Sequence, residues 1–297
     1  MPALGKGVLT GIGKRPHPDA VLPPTRLVLS AARIDPAAVA AYARLCGFPA
    51  TGPLPVTYPH ILGFPLAARL MSARAFPLPL LGLVHTTIAI DQRAPLHLDD
   101  RLELTVHAEE LRAHRRGTEV VMTTEARREG RLVWSDRSSY LARHRAAADQ
   151  TTTTPADAVP DARTDPPNPA KAASADVSPD LPVRAEWQLA ADLGRRHAAV
   201  SGDYNPIHLH PLTARLLGFP RAIAHGMWTF ARCAAEAVPP GAATLRIAAE
   251  FRAPVLLPAT VAYAQQTGAD GQGTTFHLRG GPADRPRLHL SGEVRMP

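Results

Sequence analysis

The run Ser201-Gly202-Asp203-Tyr204-Asn205-Pro206-Ile207-His208 holds the side chains best suited to chemistry, with an acid and an imidazole five positions apart. A carboxylate and an imidazole that meet on one water form a general acid–base arrangement. On a helix, that spacing would turn the two side chains away from each other. Gly202 and Pro206 prevent a helix from running through, and Asn205, preceding a proline, is biased to extended backbone. The expectation is a rigid, kinked loop in which Asp203 and His208 converge on one small volume. Asn205 can donate to the carboxylate or to a water between the pair. The alternative is a plain turn, because the string is rich in turn formers; His208 would then be a solvated loop residue, as His210 is expected to be.

The loop follows Leu189 to Val200, a helix candidate rich in Ala, Leu and Arg, and precedes a second candidate helix over Met227 to Val238. Gly226 falls at the start of that second helix. There the first N–H groups lack intrahelical partners, the positive end of the helix favours a developing oxyanion, and no Cβ obstructs an approaching substrate. Tight packing of the loop is the alternative reason for a glycine at this position.

The same order of elements occurs twice. Arg93-Ala94-Pro95 recurs as Arg252-Ala253-Pro254. Each string sits between β-like runs, Val84 to Ile90 and Leu102 to Val106 in the first case, Leu245 to Phe251 and Thr260 to Ala264 in the second. Each is preceded by an apolar helix-like segment near a histidine: His60 before Leu62 to Met71, and His225 before Met227 to Val238. Each is followed by two more strand candidates, Thr118 to Glu125 and Arg131 to Ala142 turning at Glu129-Gly130, and Thr274 to Leu278 and Arg287 to Val294 turning at Gly280-Gly281. The reading is an α+β chain in which a long antiparallel sheet wraps around one central helix, present in two copies. The two sheets could pair side by side and cover an edge of each. Residues 1–142 form the first unit, 143–182 a linker rich in Pro, Ala and Thr, and 183–297 the second. The linker has no Leu, Ile or Met between Leu141 and Leu181, so it cannot bury enough apolar surface to offset its ordering entropy.

The stretch from His197 to His225, with Asp203-Tyr204-Asn205-Pro206-Ile207-His208, Gly218-Phe219 and Ala224-His225-Gly226-Met227, resembles the hydratase motif of the MaoC-like family, the (R)-specific enoyl-CoA hydratases or hydratase 2. Tyr58-Pro59-His60 and Leu81-Gly82-Leu83-Val84-His85 resemble the N-terminal unit of two-domain bacterial members. The resemblance implies the double hot-dog fold. It also implies hydration of a trans-2-enoyl thioester, or dehydration of the (3R)-hydroxyacyl thioester, within fatty acid metabolism. Carried over by position, Asp203 and His208 are the catalytic pair, Asn205 and Ser201 support them, and Gly226 offers its N–H to the thioester carbonyl. His225, Met227 and Arg252 are candidate substrate contacts. His197 stands where the family commonly has Tyr and receives no catalytic role. The first unit lacks Asp-x-Asn-Pro-x-His, so it is expected to be non-catalytic, with His60 structural. Its Leu78 to Leu83 run is either core or a wall for the acyl chain.

The net charge of +7 comes mostly from scattered arginine, since Lys6, Lys14 and Lys171 are the only lysines. Without zinc spacing, a basic zipper or an aromatic RNA-binding motif, nucleic acid is not an expected partner. Arg221, Arg232 and Arg252 could meet coenzyme A phosphates or the acidic face of an acyl carrier protein. No cofactor and no metal are expected: no Gly-rich fingerprint follows a strand, and no His/Cys/Asp cluster has ligand spacing. The longest uncharged run, Leu45 to Ala68, is broken by Pro49, Pro53, Pro55, Pro59 and Pro65, which argues against a membrane span. With only Cys46 and Cys233, a reducing, cytoplasmic setting is expected. The expected particle is a pseudo-dimeric monomer or a homodimer. Two other functions remain open. A non-catalytic acyl-thioester binder would have no need of the Asp203/Asn205/His208 set. A thioesterase of the same fold would need an acid on the central helix, where Glu236 is the only one.

Overall fold

The computed structural model describes residues 14, 16–144, 181–269, 271–282 and 285–296. Most of the expected linker, residues 145–180, lies outside the described residues.

Among the described residues the strands are β1 (Arg26–Ala32), β2 (Val84–Gln92), β3 (Leu102–His114), β4 (Gly117–Arg128), β5 (Arg131–Arg143), β6 (Val183–Leu189), β7 (Leu245–Phe251), β8 (Ala259–Thr267), β9 (Gly273–Gly280) and β10 (Arg287–Arg295). They form one continuous ten-stranded sheet in the order β1-β3-β4-β5-β2-β7-β10-β9-β8-β6. Read inward from its two edges, the sheet repeats one topology: β1-β3-β4-β5-β2 from one side, β6-β8-β9-β10-β7 from the other. The duplication is therefore present in the pairing. The join is the antiparallel β2–β7 ladder, from Thr87 opposite Glu250 to Gln92 opposite Leu245. Each half thus covers one edge of the other, as expected, and the two sheets are continuous. Glu129 and Gly130 make the β4–β5 turn with φ of 53° and 75°, the left-handed region that glycine tolerates at no cost.

Each half has one central helix: α2 (Tyr58–Met71) against β1, β3 and β4, and α6 (Gly226–Ala237) against β7, β9 and β10. In α6 the buried face carries Phe230, Ala231, Cys233 and Ala234, all fully enclosed. Burying a side chain the size of Phe is worth roughly 1.5–3 kcal/mol, so this face fixes where the start of α6 must lie. His60 belongs to α2 itself and does not precede it.

The connections between the outer strand and the central helix differ between halves. The first is α1 (Pro36–Cys46), capped by the Asp35 side chain and ended by Gly47 at φ 81°. The second is α3 (Leu193–Ser201), α4 (Pro206–Leu209) and α5 (Pro211–Leu216). The helix expected from Leu189 begins only at Leu193. Leu189 instead ends strand β6, where it is buried and pairs with Ala259 of β8, and that pairing overrides its helical preference. Helix α1 packs on α3 and α6, and the indole N–H of Trp228 donates to the Leu45 carbonyl at 3.1 Å. The first half thus braces the segment that carries the motif of the second.

Candidate active site

Helix α3 stops at Gly202, which takes φ 75° and returns its N–H to the Ala198 carbonyl. The chain then folds back on its own polar side chains. The Asp203 N–H donates to Ser201 Oγ at 3.2 Å, and the Asn205 N–H donates to Asp203 Oδ1 at 3.1 Å. Asn205 takes the extended conformation that Pro206 imposes, and its Oδ1 accepts from the Ile207 N–H at 3.4 Å. The side chain of Asn205 therefore caps α4, and it is the Asn205 backbone, not its carboxamide, that meets the carboxylate. His208 rides on that single turn of helix instead of on irregular loop. Gly194 permits this placement: a Cβ there would lie 1.9 Å from the His208 carbonyl oxygen. Sequence spacing gave no hint of that contact, because the two positions belong to different elements.

His208 is buried, and its Nδ1 is 2.9 Å from the Ile223 carbonyl oxygen. A carbonyl only accepts, so Nδ1 carries the hydrogen and Nε2 keeps its lone pair. Burial, with the neighbouring His225 adding to it, pushes the His208 pKa down to about 3, so the ring is neutral at physiological pH. His225 stacks on it with centroids 3.7 Å apart. The His225 Nε2–H donates to the backbone carbonyl of Asp203 at 2.9 Å, and burial lowers its pKa to about 4. At 3.8 Å from Asp203 Oδ2, this neutral ring positions the acid instead of pairing with it as an ion. His197 lies under His225 at 4.5 Å, and its Nδ1 is 3.3 Å from Ser201 Oγ. Burial holds it well below the ordinary histidine range.

Asp203, His208 and His225 bring ligand-capable atoms within 4.8 Å of one another. This corrects the expectation that no such cluster exists. Positions along the chain do not show the cluster, because His225 arrives from another element.

Gly226 is the first residue of α6, following His225 at the N-cap, where no side chain caps the helix. A Cβ on Gly226 would sit 3.1 Å from the Phe251 ring, so both reasons considered for a glycine here are present: tight packing and an open path to the helix N–H groups. Ser201, Asp203, Asn205, His208, His225, Gly226, Met227 and Arg252 all line one cleft of about 1150 Å³ between the two halves. Its far wall belongs to the first half: Ile61, Phe64, Ala68, Met71, Leu80 and Leu81 are apolar, and His60, His85 and Tyr140 are not. The Leu78 to Leu83 run divides, with Leu78 fully buried in the core and Leu80, Leu81 and Leu83 on the cleft.

Of the candidate phosphate contacts, only Arg252 reaches the cleft. Arg232 stacks on Trp187 at 4.2 Å and pairs with Glu236 at 2.7 Å. Arg221 is exposed and bonds the Pro258 carbonyl. The cleft instead gathers Arg115, Arg116 and Arg143 from the first half and Arg285 and Arg287 from the second. No motif joins these positions in sequence. Glu236, being tied to Arg232, puts no acid in the cleft. Among the described residues, no helix is long and apolar enough to cross a membrane.

The description "MaoC like domain" matches residues 172–277. The chain is 35% identical over 274 residues to 3-hydroxyacyl-thioester dehydratase X of Mycobacterium tuberculosis, covering 92% of this chain and 90% of the relative. It superimposes on the crystal structure of HtdX from M. tuberculosis with a TM-score of 0.74 at 31% identity, covering 92% of this chain and all of that one. A further M. tuberculosis protein, described as having a double hotdog fold, aligns with a TM-score of 0.56 at 13% identity over 97% of this chain and 99% of that one, a likeness of fold alone. With its duplicated helix-in-sheet unit, its Asp203/His208 loop and this degree of identity across nearly its whole length, the chain belongs to the MaoC-like dehydratase family.

Proposed function

We propose that this protein is a hydro-lyase that interconverts 3-hydroxyacyl and trans-2-enoyl thioesters, of (3R) configuration at the hydroxyl-bearing carbon, at the cleft holding Asp203 and His208. One observation carries the reading: a carboxylate and a neutral imidazole with a free lone pair face the same few ångströms beside the open N-terminus of a buried helix. Both groups accept hydrogen bonds. A water between them donates both hydrogens and turns its oxygen lone pair toward C3 of the enoyl group. As oxygen bonds to C3, charge collects on the thioester oxygen, where the Gly226 N–H and the helix dipole stabilise it. The released proton reaches C2 through His208, whose buried imidazolium gives it up readily. Dehydration runs the same steps in reverse.

The acyl chain lies along Ile61, Phe64, Ala68 and Met71. The arginines at the cleft hold the phosphates of coenzyme A or the acidic surface of an acyl carrier protein. The steps above balance with water and these side chains and call for no cofactor. The buried free cysteines Cys46 and Cys233 fit a reducing, cytoplasmic setting. The β2–β7 ladder makes the chain its own pseudo-dimer, whether or not a second copy joins it. The binder reading does not account for the paired acceptors, nor the thioesterase reading for a cleft without an acid on α6.

The test is hydration of crotonyl-CoA and longer enoyl-CoA thioesters in the presence of a chelator. Loss of enoyl absorbance with formation of the (3R) product is expected. Binding without turnover, or release of free coenzyme A, would overturn the reading.

A further inference from the structure

The first half, which lacks the motif, carries a second acid–imidazole pair in the same cleft. His60 Nδ1 lies 2.5 Å from Asp136 Oδ2, with side-chain exposures of 7% and 1%. His60, His85 and Tyr140 line the cleft together with Asp203 and His208. The rings form a chain: Phe251, which abuts Gly226, is 4.7 Å from His85, and His85 is 4.5 Å from Tyr140 and 6.1 Å from His60. Around this chain, Asp136 Oδ1 and His85 Nε2 are buried without hydrogen-bond partners, while the Ser138 and Tyr140 hydroxyls interact with each other. A buried polar atom left unpaired is costly, and the three residues of this group that line the cleft, His60, His85 and Tyr140, give it a more polar wall than a plain hydrocarbon chain calls for.

Resting on the thioester reading above, we propose that His60, held by Asp136, recognises a hydroxyl group on the acyl chain beyond the reacting carbons, so that the preferred substrates are oxygenated acyl thioesters. With Nδ1 engaged by Asp136, the ring offers Nε2 to the cleft. A hydroxyl suits it because it can donate to a bare Nε2 or accept from an N–H there, and still meet a neighbour such as the Tyr140 hydroxyl. The apolar wall of Ile61, Phe64, Ala68 and Met71 lies next to His60 on α2 and takes the rest of the chain. The His60–Asp136 pair is then the specificity element of the half that does no chemistry.

The experiment compares kcat/KM for a plain trans-2-enoyl-CoA with that for chains of equal length carrying one hydroxyl, moved carbon by carbon beyond the double bond. For one hydroxyl position the native protein is expected to favour the oxygenated chain on the order of ten- to a hundredfold, as one hydrogen bond to a charge-backed partner allows. His60→Leu should lower that ratio to near one. Should His60→Leu fail to fold because Asp136 is left unpaired, the paired replacement His60→Leu with Asp136→Leu removes both polar groups together, and it should give the same loss. A native ratio near one at every hydroxyl position, or variants that lower both substrates equally, would overturn the proposal. Turnover of the plain chain by the native protein separates this outcome from failure of the thioester reading, in which neither substrate would react.

Discussion

The two halves share a topology and a helix that starts beside a histidine, yet they place their polar groups to opposite ends. In the second half, α3 to α5 carry Asp203 and His208 to the head of α6, and the acid remains 27% exposed. In the first half, a single helix α1 leads to Leu54 and Val56, both buried, and the acid–imidazole pair retreats into the sheet at His60 and Asp136. One pair can reach a water and a substrate carbon, whereas the other presents only the edge of His60 to the cleft, away from the reacting carbons. The difference lies in the connection ahead of the central helix, which is the part of the unit least constrained by the sheet.

The largest effect that would sharpen this contrast is loss of chemistry from the second half alone. Asp203→Asn and His208→Gln should each lower kcat by on the order of 10²–10⁴, measured by steady-state hydration. Next comes the head of α6. Gly226→Pro keeps the helix, since proline suits its first position and His225 already has the extended conformation a following proline requires. It removes the N–H, and kcat should fall roughly 10²–10³. Gly226→Ala, which adds only the Cβ that meets Phe251, should lose distinctly less. Equal losses would assign the glycine to packing alone.

Stability should show the reverse asymmetry. His60→Ala strands the buried Asp136 and should cost about 3–5 kcal/mol in denaturant melts. Asp203→Ala removes a part-exposed acid whose imidazole neighbours are neutral, and should cost about 1 kcal/mol or less. The buried neutral histidines give a pH dependence of known sign. His208 and His225 have pKa values of about 3 and 4 in the fold, against roughly 6.5 in the unfolded chain. The unfolded state therefore binds more protons below 6.5. Their stabilising effect is complete above about pH 7 and declines as pH falls toward 4, by up to about 1.4 kcal/mol per pH unit for each ring. Calorimetry at several pH values checks this; a Tm that rises on acidification would contradict it. The smallest effect belongs to Glu236→Gln: the acid faces Arg232 on the surface, so turnover should be unchanged and stability should shift by about 0.5 kcal/mol or less.

Eight of the strands described were legible in the sequence because their β-branched runs and Gly-centred turns are local signals, whereas the two edge strands, β1 and β6, were not anticipated. Leu245 to Phe251 is observed with the expected bounds, and most others differ only by longer ends. Helix α1 was not anticipated, although Asp35-Pro36 and Gly47 mark its start and stop; its Ala-rich sequence has little periodicity to read. Asp203, His208 and Gly226 were legible because they fall within one short motif, and all of them reach the cleft. Other features were invisible for a physical reason. His60 and Asp136 are 76 residues apart, Gly194 meets His208 across two helices, and the arginines around the cleft come from separate turns and strands. Only the fold gives these pairs a distance.

The most direct measurement of the central claim is a double-mutant cycle on Asp203 and His208, following kcat for enoyl-CoA hydration. If both side chains act on one water, Asp203→Asn with His208→Gln should be little slower than the slower single variant, because either change alone already disables the unit. Losses that multiply, or single variants that keep near-native rates, would contradict it.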